Sequence, residues 1–183
     1  MVPHYVDTGR PETYRDWRII GESLEGSPPM KMVLAHPQKC VACHLCEGAC
    51  SFFHEGAFQP AKTRIFVHDF VDEAVYLPVT CFHCKDAPCL SNCPTYAITR
   101  DANGMVQVND DKCIGCKMCM VACPFSVMGF HQDNDVSHNC DLCGGDPQCV
   151  KICTYDALEY ADVEPIEWMV RMDIAEKPAA AAS

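Results

Sequence analysis

CFHCKDAPCLSNCP, residues 81–94, and CIGCKMCMVACP, residues 113–124, are joined by AITRDANGMVQV, residues 97–108. The second run has the spacing C-x2-C-x2-C-x3-C-P. Cys113, Cys116 and Cys119 fall within one short loop, which can wrap three corners of a four-iron cubane, so the fourth corner must come from elsewhere. Cys123 follows Cys119 by one helical turn and points off the other side. Pro124 ends that turn, because it lacks an N–H and disfavours helix in the residue before it. The first run repeats the pattern with a wider internal gap. Two such runs exchange fourth ligands, which groups Cys81, Cys84 and Cys89 with Cys123, and Cys113, Cys116 and Cys119 with Cys93.

The same spacing recurs on both sides. KCVACHLCEGAC supplies Cys40, Cys43, Cys46 and Cys50, with Ser51 where a proline is expected. The last motif supplies Cys140, Cys143, Cys149 and Cys153, with Gly144, Gly145 and Pro147 in its wide gap and Thr154 after the final cysteine. Both central motifs end in Cys-Pro and neither outer motif does. This internal repeat predicts a nested arrangement, in which the outer motifs form one two-cluster module and the central pair a second, inserted one. The outer exchange then places Cys153 with Cys40, Cys43 and Cys46, and Cys50 with Cys140, Cys143 and Cys149.

Sixteen cysteines in 183 residues suit a disulfide scaffold, zinc sites or iron–sulfur clusters. Disulfide frameworks belong to oxidising compartments, and MVPHYVDTGRPETYRDW has neither a secretory h-region nor a twin-arginine pair, so a cytoplasmic setting is expected. Zinc sites usually join two C-x2-C pairs across a long spacer, whereas here three or four cysteines crowd into each loop. Four [4Fe-4S] clusters are therefore the expected cofactors. A net charge of −11 argues against a nucleic-acid partner, which asks for a basic stripe. It suits solubility and steering toward a basic docking face. The sequence has no apolar run long enough for a membrane span.

The expected fold class is α+β, with two bacterial-type two-cluster modules and helical extensions at both ends. Its expected parts are an N-terminal arm at 1–29, an outer module at 30–75 and 132–160, an inserted module at 76–131, and a C-terminal helix and tail at 161–183. Pro11, Tyr14, Trp17, Ile20 and Gly21 suggest a short helix in the arm. Strands are expected at Met30–Ala35, Arg64–Asp69 and Ala74–Thr80, with Pro78 at an edge or end. A hairpin is expected around Asn103-Gly104. Ile166, Met169, Val170 and Ile174 share one face of a predicted helix over Pro165–Glu176.

From Met30 to Tyr160 the chain resembles the four-cluster ferredoxin-like electron-transfer subunits that accompany tungsten and molybdenum enzymes, hydrogenases and carbon monoxide dehydrogenases. CFHCKDAPC, CPTYAITRDANGMVQV and CIGCKMCMVACPF carry the resemblance. Its size and CVACHLCEGACSFFHEGAF make it most similar to the small subunits of bacterial tungsten-containing aldehyde oxidoreductases. This implies a separate catalytic subunit with a tungsten- or molybdenum-pterin, and often a flavin subunit facing NAD. The alternatives are a hydrogenase or carbon monoxide dehydrogenase client, or an interaction module that self-associates into filaments through its terminal helices.

His44 and His83 lie inside cysteine loops, but each expected cluster already has four thiolates, so hydrogen bonding or packing is their expected role. His54, His68, His131 and His138 lack ligand-like spacing and read as surface or strand residues. Phe52, Phe53, Phe82 and Phe125 adjoin ligands and are expected to pack as an apolar shell. Lys85, Lys112 and Lys117 could offset cluster charge, although solvated surface positions explain them as well. Asp110-Asp111 and Asp72-Glu73 read as solvated pairs. No nucleophile constellation, phosphate loop or paired catalytic carboxylates stands out, so a non-catalytic subunit is expected.

Overall fold

Among the described residues, the sixteen cysteines sit on loops and short helices held by four separate two-stranded sheets. The structure, a computed structural model, describes residues 30–72 and 74–163. The expected terminal helices, and Glu73 of the expected charge pair, lie outside the described residues.

The strands are β1 (Met30–Ala35), β2 (Ile65–Phe70), β3 (Val75–Thr80), β4 (Ile98–Arg100), β5 (Val106–Val108), β6 (Gly129–His131), β7 (Val136–His138) and β8 (Leu158–Val163). The helices are α1 (Leu45–Glu55), α2 (Pro88–Ser91), α3 (Met118–Ala122) and α4 (Gln148–Ile152). Strand β1 pairs with β8, so the two ends of the described chain close one sheet. The other three sheets are antiparallel hairpins, β2–β3, β4–β5 and β6–β7. Helix α1 packs on α4, and α2 packs on α3.

The strands expected at Met30–Ala35, Arg64–Asp69 and Ala74–Thr80 are present within a residue at each end. Pro78 faces Val67 in a two-stranded hairpin, where a missing donor can be turned to the outer edge. The expected module boundaries at 75/76 and 131/132 both cut hairpins, β2–β3 and β6–β7.

In the central hairpin Gly104 has φ +84° at the turn. The turn is organised by Asp101, whose carboxylate accepts from the backbone N–H groups of Asn103 at 2.9 Å and Met105 at 2.8 Å. The β6–β7 hairpin was not anticipated. Gly129 pairs with His138 there, and a Cβ on Gly129 would lie 2.1 Å from His138 Nε2, so only glycine admits the ring.

Helix entry follows the width of the cysteine gap. In the two tight motifs the residue after the second cysteine, His44 or Lys117, takes a left-handed conformation (φ +55° and +61°) and starts the helix. In the two wide motifs proline does so, with Pro88 at the first turn of α2 and Pro147 as the N-cap of α4. Helix exit also varies. Helix α3 stops before Cys123-Pro124, whereas α1 runs on past Cys50 to Glu55, because Ser51 keeps its N–H where a proline would not. Ser51 is fully buried, donates to Gly48 O and accepts from Gln59 N, and Gly56 in a left-handed conformation ends the helix.

Candidate iron–sulfur sites

Each helix carries the third cysteine of its motif near its start and leads into the fourth. Cys46, Cys89, Cys119 and Cys149 are buried in α1, α2, α3 and α4. Packed helices therefore hand cysteines across to each other's loops.

Four groups result. Cys40, Cys43, Cys46 and Cys153 line one small cavity with Val67, Pro78 and Leu158. Cys93, Cys113, Cys116 and Cys119 line another with Ile98, Val108 and Ser137. Burial pushes the Cys84 thiol up to about 12, and Cys81, Cys89 and Cys123 beside it push the same way. Burial likewise pushes Cys149 up to about 12, with Cys50 and Cys143 adding to it, and Cys140 well above the usual thiol range, with Cys149 and Cys50 among its neighbours. All sixteen cysteines are free of disulfide bonds.

The loops present backbone donors to these sulfurs. In every motif the residue before the second cysteine has positive φ: Ala42 (+52°), His83 (+48°), Gly115 (+66°) and Leu142 (+56°). Only one is glycine, and each of the others accepts about 1–2 kcal/mol of strain to turn the chain around the cavity. After the fourth cysteine a second pattern repeats. Tyr96, Ser126 and Asp156, each three residues on, have φ near +50°, and each donates its N–H to the carbonyl of that cysteine. The next amide then reaches sulfur in two of the three, Ala97 N to Cys93 Sγ and Ala157 N to Cys153 Sγ, both 3.3 Å. Cys50 is the exception. Its helix runs on, and its sulfur accepts from Arg64 N at 3.3 Å instead.

Charge and tautomer fit an anionic cofactor. Arg100 donates to the carbonyls of His83, Cys84 and Lys85, which clamps the first loop of the central pair. This clamp was not foreseen, and the signal for it is the lone arginine in an otherwise short hairpin strand. His83 is fully buried, its Nδ1 accepts from Val106 N at 3.1 Å, and its Nε2 has no partner among the described residues. Burial lowers His83 to about 4, so the ring is neutral, with its proton on the unpartnered Nε2, while the nitrogen 3.9 Å from Cys81 Sγ is the acceptor Nδ1. Soft thiolates in fours, amides aimed at sulfur and an orphaned buried donor fit a cubane.

Several expectations need correction. His54 and His131 are largely covered and His138 is buried: His54 reaches Asp141 Oδ1 at 3.5 Å, His131 reaches Glu55 at 3.4 Å, and the His138 ring meets that of His131 at 4.3 Å, tilted by 51°. His131 and His138 are strand residues as expected, in β6 and β7, and only His54, covered in α1, is neither at the surface nor in a strand. His44 is part-exposed and bonds Glu47 at 2.8 Å, and His68 is exposed on β2. Phe52 and Phe53 are 63% and 52% exposed rather than packed, because the long α1 turns them outward, while Phe82 and Phe125 meet at 4.5 Å as expected. Lys85, Lys112 and Lys117 are exposed, and Lys117 lies over the Phe130 ring. Asp72, Asp110 and Asp111 are exposed too.

The 4Fe-4S dicluster domain family matches residues 72–163, half of the chain. The polyferredoxin-like subunit of an aliphatic sulfonate oxidoreductase from Pyrococcus furiosus is 44% identical over 96 residues, 52% of this chain and 55% of that one. Formate hydrogenlyase subunit 2 from Escherichia coli is 41% identical over 100 residues, 55% and 48%. The thiosulfate reductase electron transfer subunit PhsB from Salmonella typhi is 39% identical over 102 residues, 52% and 53%. The chain thus spans about half the length of these curated relatives.

Proposed function

Because the chain belongs to the 4Fe-4S dicluster domain family and carries [4Fe-4S] clusters, we propose that it is a non-catalytic electron-transfer subunit with four of them. The proposed ligand sets are Cys40, Cys43, Cys46 and Cys153; Cys81, Cys84, Cys89 and Cys123; Cys113, Cys116, Cys119 and Cys93; and Cys140, Cys143, Cys149 and Cys50. The observation that carries this reading is the gathering of the sixteen sulfurs into four crossed groups. When bound, the clusters supply one-electron chemistry, and the protein fixes their spacing and potential.

The groups also have an order. Besides burial, Cys46 acts on Cys149, Cys81 acts on Cys140, and Cys119 acts on Cys89. The first set therefore adjoins the set of Cys140, which adjoins that of Cys81, which adjoins that of Cys113. Cys43 and Cys116, the two exposed cysteines, belong to the two end sets. They mark where electrons enter and leave. The nested arrangement of two modules is part of this reading, supported by β1 pairing with β8 and by the helix pairs α1–α4 and α2–α3.

The proposed donor is a tungstopterin subunit that oxidises aldehydes, with a flavin subunit or a further copy as acceptor, in the cytoplasm. The residues that support this are those of CVACHLCEGACSFFHEGAF. A hydrogenase or other molybdenum enzyme is the second reading, favoured by the formate hydrogenlyase and thiosulfate reductase relatives. Iron and sulfide analysis with EPR of the reduced protein tests the conduit: about sixteen iron per chain is expected, and about four refutes it. Metal analysis of the co-purifying large subunit tests the partner, with tungsten expected and nickel or molybdenum moving the assignment.

A further inference from the structure

One buried segment, Ser137 to Cys140, touches three of the four cysteine groups. Ser137 and Asn139 are two apart along an extended stretch that begins in β7, so their side chains leave the same face. Ser137 is 1% exposed and its Oγ lies 3.2 Å from Cys119 Sγ. Asn139 is 5% exposed and its Nδ2 donates to Cys81 Sγ at 3.4 Å, to Val106 O at 2.8 Å and to Cys140 O at 3.2 Å. Cys140 follows directly and belongs to a third group.

A metal-bound thiolate carries no proton, so toward it the Ser137 hydroxyl donates and cannot accept. Asn139 can act only as a donor through Nδ2. Its amide plane is fixed from both sides, since Val106 O and Cys140 O hold the same nitrogen. Neither side chain can rotate away without leaving a buried polar atom unpaired, which costs about 1–3 kcal/mol. Ser137 therefore keeps its hydrogen on sulfur in either oxidation state, and of the two Nδ2 hydrogens of Asn139 one goes to Val106 O while the other is shared between Cys140 O and Cys81 Sγ. Reduction adds negative charge to a cluster and its sulfurs, so a fixed donor stabilises the reduced form more than the oxidised one and raises the potential.

We propose that Ser137 and Asn139 are positioning residues that raise the reduction potentials of two different, adjacent clusters, those ligated by Cys119 and by Cys81. This rests on the four-cluster reading above. The step concerned is a single electron passing between neighbouring clusters, with no bond made or broken. One strand then sets the potential difference across that hop, and a shift in either donor tilts it.

The test is EPR-monitored redox titration of the full chain and of Ser137→Ala and Asn139→Leu, each after iron analysis. Each variant is expected to lower the midpoint potential of one cluster, a different one in each case, by about 59 mV, equal to a tenfold change in a one-electron equilibrium constant. The remaining potentials are expected to stay in place, and the double variant to show both shifts. Unmoved potentials at full iron content, or the same cluster shifted by both variants, overturn the proposal. Ser137→Ala removes one oxygen and leaves the main chain intact, so it decides alone if Asn139→Leu fails to hold iron. If Ser137→Ala also loses iron, the unmodified chain labelled with 15N in asparagine side chains decides, since a reduced cluster without nitrogen coupling to that label overturns the proposal. About four iron in the unmodified chain refutes the four-cluster reading instead.

Discussion

At the residue scale, the tightest constraint is Gly129 beneath His138. An added methyl meets the imidazole at 2.1 Å inside a paired strand, so Gly129→Ala is expected to cost about 1–3 kcal/mol. The measurement is the half-life of the visible iron–sulfur absorbance on heating, and an unchanged half-life contradicts it. His138 itself gives a pH dependence. Burial lowers both His83 and His138 to about 4. A histidine lowered on folding binds fewer protons folded than unfolded, so stability is whole above about pH 6.5 and is lost as pH falls toward 4. The loss is on the order of 3 kcal/mol for His138. His138→Leu is expected to flatten the acid-induced bleaching between pH 6.5 and 4.5, and an equally steep profile rejects the assignment. The sequence did not reveal this burial. His131 and His138 flank the polar run Gln132–Asp135, and only the pairing of β6 with β7 covers them.

Among the elements, the cysteine-bearing helices differ chiefly in the residue after the fourth cysteine. Proline stands there after α2 and α3, serine within α1 and threonine after α4. Thr154 is exposed beyond the end of α4, so Thr154→Pro is expected to leave stability within about 1 kcal/mol and the iron content unchanged. Ser51 lies inside α1, and Ser51→Pro is expected to cost about 3 kcal/mol or more. Thermal bleaching of both variants checks the contrast, and similar losses refute the account of helix exit. The motif spacing made a helical turn legible only between Cys119 and Cys123; the other three motifs repeat that spacing of four residues, and α1, α2 and α4 fall on it. The length of α1 was not legible, since Ser51 announced only the absence of a breaker. The outward-facing Phe52 and Phe53 result from that extra length, and no apolar period in so short a segment could have said so.

For the whole molecule, the proposed exchange of fourth cysteines starts from the repeat, whereas the proposed order of the groups does not. Adjacency depends on which sulfurs approach across packed helices, and spacing along the chain carries no such information. The exchange predicts an unusual pattern of damage. Cys153→Ser is expected to alter the same cluster signal as Cys43→Ser, and a different one from Cys149→Ser, although Cys149 is its sequence neighbour. EPR of the three variants decides, and a shared signal for Cys149 and Cys153 excludes the crossing. The crossing also bears on manufacture. A chain leaving the ribosome has Cys81–Cys123 in hand well before Cys153 emerges, so the inner cubes can close while the outer ones still lack corners. Cys40, Cys43 and Cys46 are made first and must wait longest. Interrupted synthesis or early oxygen exposure should therefore strip the outer cubes preferentially, leaving a half-loaded intermediate with its centre complete.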